Sequence, residues 1–276
     1  MVPWTTPRRL LLVLACCLIV GFLLLPLVVI VPIAFTTSRS LTFPPPGFSL
    51  RWYEYLLSDE TWRSSLLFSL QVGLGTVALS LMLGVPMALG LVRGRFPGRR
   101  LTQGLMLSPL VVPAVVVAIG MYSVWAVGWR IGGVGITIDL IGTVPGLVLA
   151  HTALALPYVV VITSATIRTV DRELELAAYN LGANPLRAFR FITLPLILPG
   201  VLASSILAFL TSWDEPVVAL FLTSPRAVSL PVRMFVGARD SVDPTVAAVA
   251  TLVSSVTAAL FLGVLVLRRP AGRRQA

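Results

Sequence analysis

The chain contains no lysine: all 21 of its Lys-plus-Arg positions are arginine. That absence excludes a Walker A phosphate loop and any Schiff-base chemistry on this polypeptide. Histidine is nearly absent as well, and the lone His151 leaves no His-paired metal site. No G-x-S-x-G elbow occurs, so a membrane-embedded hydrolase built on Ser and His151 lacks an activated serine. The two cysteines, Cys16 and Cys17, are adjacent inside an apolar run and cannot readily bridge each other. Charge is scarce too, at 12% of residues against 57% hydrophobic, which is far outside the soluble range. What is left is an all-α polytopic membrane protein. Its net charge of +10 would suggest nucleic acid in a soluble chain, but here it has a topological explanation, and no nucleic-acid partner is expected.

Six apolar stretches fit transmembrane helices, at about residues 10–35, 65–92, 101–127, 141–167, 196–223 and 244–267. After Arg8-Arg9, the run ending Leu14-Ala15-Cys16 resembles a lipoprotein or signal cleavage site, but the apolar stretch continues to Phe35, so an uncleaved first span is expected. Pro26 and Pro32 mark kinks in that span, and Pro109 and Pro113 interrupt the third. Between spans one and two, Pro44-Pro45-Pro46-Gly47 predicts a turn, and Trp52, Tyr53 and Tyr55 an aromatic interfacial helix. A Gly-rich loop through Gly128, Gly132, Gly133 and Gly135 offers flexible backbone that could gate. Asp243-Pro244 starts the last helix, and Asp139, Asp240 and Asp243 are docking or capping residues on the outer rim. Gly73, Gly84 and Gly90 predict close helix packing. His151 and Tyr158 could line the route, His151 more readily making an interhelical hydrogen bond.

Fourteen of the arginines fall on one side: Arg8 and Arg9, the loop Arg93 to Arg100, the segment after span four, and the C-terminal tail. The positive-inside rule therefore predicts that both termini and the loop after span four are cytoplasmic. That loop, residues 168–195, carries its own punctuation. Asp171 is an N-cap, Glu173 and Glu175 suit a first turn, and Leu174, Leu176, Ala177, Ala178 and Leu181 form an apolar stripe. Gly182 suits a left-handed C-cap, and Asn184-Pro185 starts a second short helix.

The spacing Ala177-Ala178, Gly182, Ile192-x-Leu194-Pro195 resembles the E-A-A-x3-G-x9-I-x-L-P loop of permease subunits of bacterial ATP-binding-cassette importers. The resemblance implies the type I importer fold, with a permease domain over residues 65–264, an added N-terminal helix and external loop over 1–64, and a basic cytoplasmic tail over 265–276. It implies that Glu175, Ala177, Ala178, Gly182, Ile192, Leu194 and Pro195 belong to a coupling helix that docks on a separate ATPase. Leu176 departs from the pattern, standing where the family usually has Glu, so the acidic contact is either shifted to Glu175 or absent. The alternative is an amphipathic helix lying on the membrane without a partner. The implied partners are an ATPase dimer that carries the ATP and magnesium, a homologous second permease, an extracytoplasmic solute-binding protein, and the lipid of a bacterial inner membrane. No cofactor is expected on this chain.

Asp214-Glu215 is the costliest feature of the apolar runs, and Pro216 should break the helix beside it. With Trp213 as an aromatic wall, the two carboxylates could face a cation. Equally, either could pair with Arg130 or Arg233, or cap a broken helix. From Ser212 to Thr251 the sequence looks like the corresponding region of spermidine/putrescine permeases, with Ser224-Pro225 and Leu230-Pro231-Val232-Arg233 in matching places. That likeness implies a polyamine solute, with Trp213, Asp214 and Glu215 on its path. Other amines, amino-acid-like compounds and ferric ion remain open, as does an autonomous carrier or channel in which the acidic pair binds a coupling ion.

Overall fold

The structure is a computed structural model that describes residues 6–126, 129–131, 134–136, 140–225, 227–240 and 243–267. Asp139, three of the four loop glycines and nearly all of the basic tail lie outside these residues, as do the side chains of Arg130 and Asp240.

Helix α1, Thr6–Ala34, runs unbroken through Pro26 and Pro32. After an irregular segment comes helix α2, Arg51–Ser58, whose Trp52 Nε1 donates to Thr36 O at 2.7 Å. Helix α3, Glu60–Arg93, is the longest. The third apolar stretch is not one continuous helix. It forms α4, Arg99–Leu107, a single 3₁₀ turn at Ser108–Leu110, and α5, Ala114–Ala126, with a bend of 103° between the two arms. The cause is visible in the chain: Pro109 and Pro113 each remove an amide donor and restrict the residue before them, and this turns an expected kink into a nearly right-angled bend. The Gly-rich loop contains a short antiparallel ribbon, β1 (Trp129–Ile131) with β2 (Val134–Ile136), in which Arg130 lies opposite Gly135.

Helix α6, Val144–Thr169, is the most enclosed of the apolar helices. It is followed by α7 (Arg172–Asn180), α8 (Pro185–Ala188), a π-helical turn at Phe189–Thr193, and α9 (Leu194–Trp213). The short α10, Val217–Leu222, comes next, then α11 (Leu230–Asp240) and α12 (Pro244–Leu267). At the start of α12, Asp243 Oδ1 accepts from both the backbone and the hydroxyl of Thr245, at 2.8 Å each. Among the described residues five helices are long and apolar enough to cross a bilayer, or six if the bent α4–α5 pair counts as one span.

Packing divides the chain into two compact units, Met1–Glu60 with Val236–Val256, and Thr61–Phe235 with Thr257–Ala276. The second unit holds residues 168–195 and the acidic pair. Its core has one cluster where Val72, Ala118, Leu147 and Val218 join α3, α5, α6 and α10. Another cluster joins α3, α6 and α9 through Val85, Val160, Ile167 and Ile197.

Two of the three expected packing glycines are tight. A Cβ at Gly73 would come within 2.9 Å of Phe209, and one at Gly84 within 2.6 Å of Val159 Cγ1. Gly90 has nothing within 4 Å of that point, so it makes no such contact inside this chain. Val159 is fully buried and cannot yield, so Gly84→Leu should lose about 1–3 kcal/mol through overpacking. Gly90→Leu serves as the control and should be neutral. Thermal unfolding of the detergent-solubilised protein measures both, and equal midpoints would contradict the packing assignment.

Candidate functional site

The segment after α6 is built from local capping. Asp171 Oδ1 accepts from Glu173 N at 3.0 Å, and Asn184 Oδ1 from Arg187 N at 2.8 Å, so both short helices start where their cap residues stand. Gly182, at φ +86°, takes the left-handed conformation that ends α7, while Ala183 N donates back to Ala178 O at 3.0 Å. A π-helical turn then leads into α9, with Ile192 and Leu194 half-buried and Pro195 exposed at the helix start.

The orientation of α7 is the reverse of an ordinary surface helix. Its leucines face outward: Leu174, Leu176 and, just past the helix, Leu181 are exposed, Leu181 by 88%. Leu186 on α8, Phe191 in the π turn and Ala177 are exposed as well. Ala178 is half-buried.

The one inward residue of α7 is its acid. Glu175 is buried, and its Oε1 receives Arg93 Nη2 at 3.2 Å and the Thr193 hydroxyl at 3.1 Å. Arg93 Nη2 also donates to Val170 O at 2.9 Å. One carboxylate and one guanidinium thus tie the end of α3, the end of α6, α7 and the turn before α9 into a single knot. Glu175, expected as the acidic contact for a partner, is instead an internal fastener, because both of its hydrogen-bond donors come from this chain. Nothing in the sequence links positions 93 and 175, so Arg93 carried no signal beyond its sign.

The second site is the break between α9 and α10. Helix α9 stops at Trp213, Asp214 is its C-cap, and Pro216 prevents continuation. The carboxylates therefore sit at a helix end, not within a continuous span. Glu215 Oε1 accepts from Val217 N at 2.7 Å and Val218 N at 2.9 Å, which caps α10. Of the readings left open for it, capping is the one the geometry displays. Asp214 is exposed and its carboxylate makes no hydrogen bond or ion pair among the described residues. Arg233, a suggested partner for the pair, directs its Nε to Ser65 Oγ at 2.6 Å and lies over the Trp62 ring. Trp213 is only 2% exposed and stacks on Phe209 with centroids 5.4 Å apart, so its ring is part of the core and not an open aromatic wall.

Directly behind that break, His151 Nδ1 and Ser212 Oγ share a hydrogen bond of 2.8 Å between α6 and α9, and Thr76 Oγ1 donates to Ser212 at 3.4 Å. This is the expected interhelical bond of a lone polar residue between packed helices. His151 and Ser212 are 1% and 6% exposed, which denies the pair the access a nucleophile needs. Tyr158, the other candidate on α6, is 39% exposed.

The sequence pattern of the family described as "binding-protein-dependent transport system inner membrane component" matches residues 80–270. The chain is 35% identical over 238 residues to the putrescine transport system permease protein PotI of Escherichia coli K12, covering 84% of this chain and 81% of that protein. It is 30% identical to the spermidine/putrescine transport system permease protein PotC of Haemophilus influenzae, covering 87% and 89%. Another 30% match is the trehalose transport system permease protein SugB of Mycobacterium tuberculosis, covering 83% and 82%. Among solved structures, a bacterial ABC transporter that imports the acidic polysaccharide alginate aligns over 96% of this chain and 98% of its own, with a TM-score of 0.66 at 18% identity.

Proposed function

Because this chain belongs to the family of binding-protein-dependent transport system inner membrane components, we propose that it pairs with a homologous second permease to form the route of an ATP-binding-cassette importer for a polyamine. The segment from Asp171 to Pro195 faces the cytoplasm and docks on a separate ATPase, which binds the ATP and magnesium. An extracytoplasmic binding protein delivers the solute. One observation carries this reading: α7 buries Glu175 and exposes its leucines. An exposed apolar surface of this kind marks a partner site, and a helix lying on lipid has no need of a charged knot beneath it. ATP binding draws the two coupling segments together and opens the route outward, and hydrolysis resets it. A ligand shifts such an equilibrium only through its differential affinity for the two states.

The polyamine assignment is supported by the relatives named for putrescine and spermidine and by Asp214, a carboxylate left open where α9 ends. A second reading, an uncharged solute, is favoured by the relative named for trehalose. Charge separates them. A charge-assisted contact contributes about 1.5–3 kcal/mol, so Asp214→Asn should weaken putrescine-dependent uptake about 10-fold to 100-fold. Glu215→Gln keeps an acceptor for Val217 and Val218 and should act mainly on stability. Putrescine uptake at the wild-type rate in Asp214→Asn would remove the carboxylate from the path.

A further inference from the structure

Between the end of α3, the second half of α4 and the end of α6 lies a cavity of about 230 Å³. Leu91, Met106 and Val160 form its apolar wall, and Gln103, Ser164 and Arg168 supply the polar groups. The volume falls below the range of about 300–1,000 Å³ that encloses a drug-sized ligand, so the cavity suits one segment of a larger molecule. Arg168 is exposed and makes no hydrogen bond or ion pair among the described residues. Arg100 is likewise exposed and Arg99 half-buried, and neither makes a hydrogen bond or ion pair among the described residues; both stand one helical turn before Gln103 on α4. A cation is repelled here. An anion with an apolar tail is complementary at both ends.

We propose that this cavity seats an acyl chain of an anionic phospholipid, with Arg168 holding the headgroup phosphate and Gln103 and Ser164 beside it. Arg168 belongs to the last turn of α6, and Arg99 and Arg100 to the first turn of α4, so the basic groups gather at the membrane boundary while the apolar wall extends inward. Basic pockets between membrane helices on the cytoplasmic side are suited to anionic headgroups. A free phosphate shares the headgroup chemistry but leaves the Leu91, Met106 and Val160 wall unfilled. The assignment of leaflet rests on the orientation proposed above; the site itself does not.

The test uses the assembled complex in bilayers of phosphatidylethanolamine and phosphatidylglycerol, followed by native mass spectrometry of retained lipid. Wild type should retain phosphatidylglycerol in preference to phosphatidylethanolamine. Arg168→Gln, and Ala165→Trp, which fills the cavity from its lining, should each cut that retention at least fivefold. Equal retention of the neutral lipid, unchanged retention in both variants, or displacement by millimolar inorganic phosphate would overturn the proposal. So would cross-linking of Ala165→Cys to the second permease with no lipid bound. Leaflet is read separately, with Arg100→Cys in a chain whose Cys16 and Cys17 are serine. An impermeant maleimide should label it only in inside-out vesicles, and labelling from the other face would refute the orientation while leaving the lipid site standing.

Discussion

Leu181→Glu is expected to reduce uptake at least a hundredfold while the protein still inserts and folds. In the isolated chain Leu181 touches almost nothing, being 88% exposed, so the substitution removes little internal packing. Docked on an ATPase, the same side chain becomes buried. Burial of a leucine contributes about 1.5–3 kcal/mol, and an unpaired carboxylate pressed into an apolar groove adds a penalty of at least about 2 kcal/mol. Together these exceed the roughly 2.8 kcal/mol that corresponds to a hundredfold change. Co-purification of the ATPase with a tagged permease reads the effect directly. Leu181→Met, which keeps the apolar contact, should retain the complex. Full co-purification of the Leu181→Glu protein would show that this surface faces something other than the ATPase.

Glu175→Ala should behave differently, leaving the ATPase bound but loosening its hold on the permease. The exposed leucines are untouched, so docking persists. Inside, Arg93 loses its carboxylate while its Nε already lacks a partner, and the Thr193 hydroxyl loses its acceptor. Truncating one member of a buried charged pair costs about 2–5 kcal/mol. That penalty falls on the junction through which a movement of α7 reaches α3, α6 and α9. Solute-stimulated ATP hydrolysis should continue while uptake per ATP falls on the order of tenfold, taking about 1.4 kcal/mol as one decade. Glu175→Gln keeps an acceptor oxygen for both donors and should lie between the two. A Glu175→Ala protein with wild-type coupling would mean that the knot is structural only.

These two predictions draw on different kinds of legibility. The caps at Asp171, Asn184, Gly182 and Asp243 were readable because each depends on residues within one turn, and the break before Pro216 follows from a missing amide. The apolar stripe on α7 was readable as a stripe. Which way it points was not, because periodicity fixes the residues that share a face without fixing what the face meets. Here the decision rests on Arg93, separated from Glu175 by 82 positions. The same limit explains Gly73 and Gly90, alike in sequence and opposite in surroundings, and Trp213, whose aromatic face is spent on Phe209. Pro109 and Pro113 were visible, but a kink and a 103° bend have the same two prolines. Relatives named for putrescine and for trehalose both align over most of this chain's length, so the shared fold does not choose between the solutes, and the open carboxylate of Asp214 is the side chain to test first.

The most direct measurement is uptake of labelled putrescine by proteoliposomes containing both permease chains and the binding protein, with the ATPase and ATP present or withheld. Uptake that requires both the ATPase and ATP, and that is lost in Leu181→Glu, is the predicted result. Uptake that proceeds at the same rate without the ATPase would contradict it and identify the chain as a carrier that works alone.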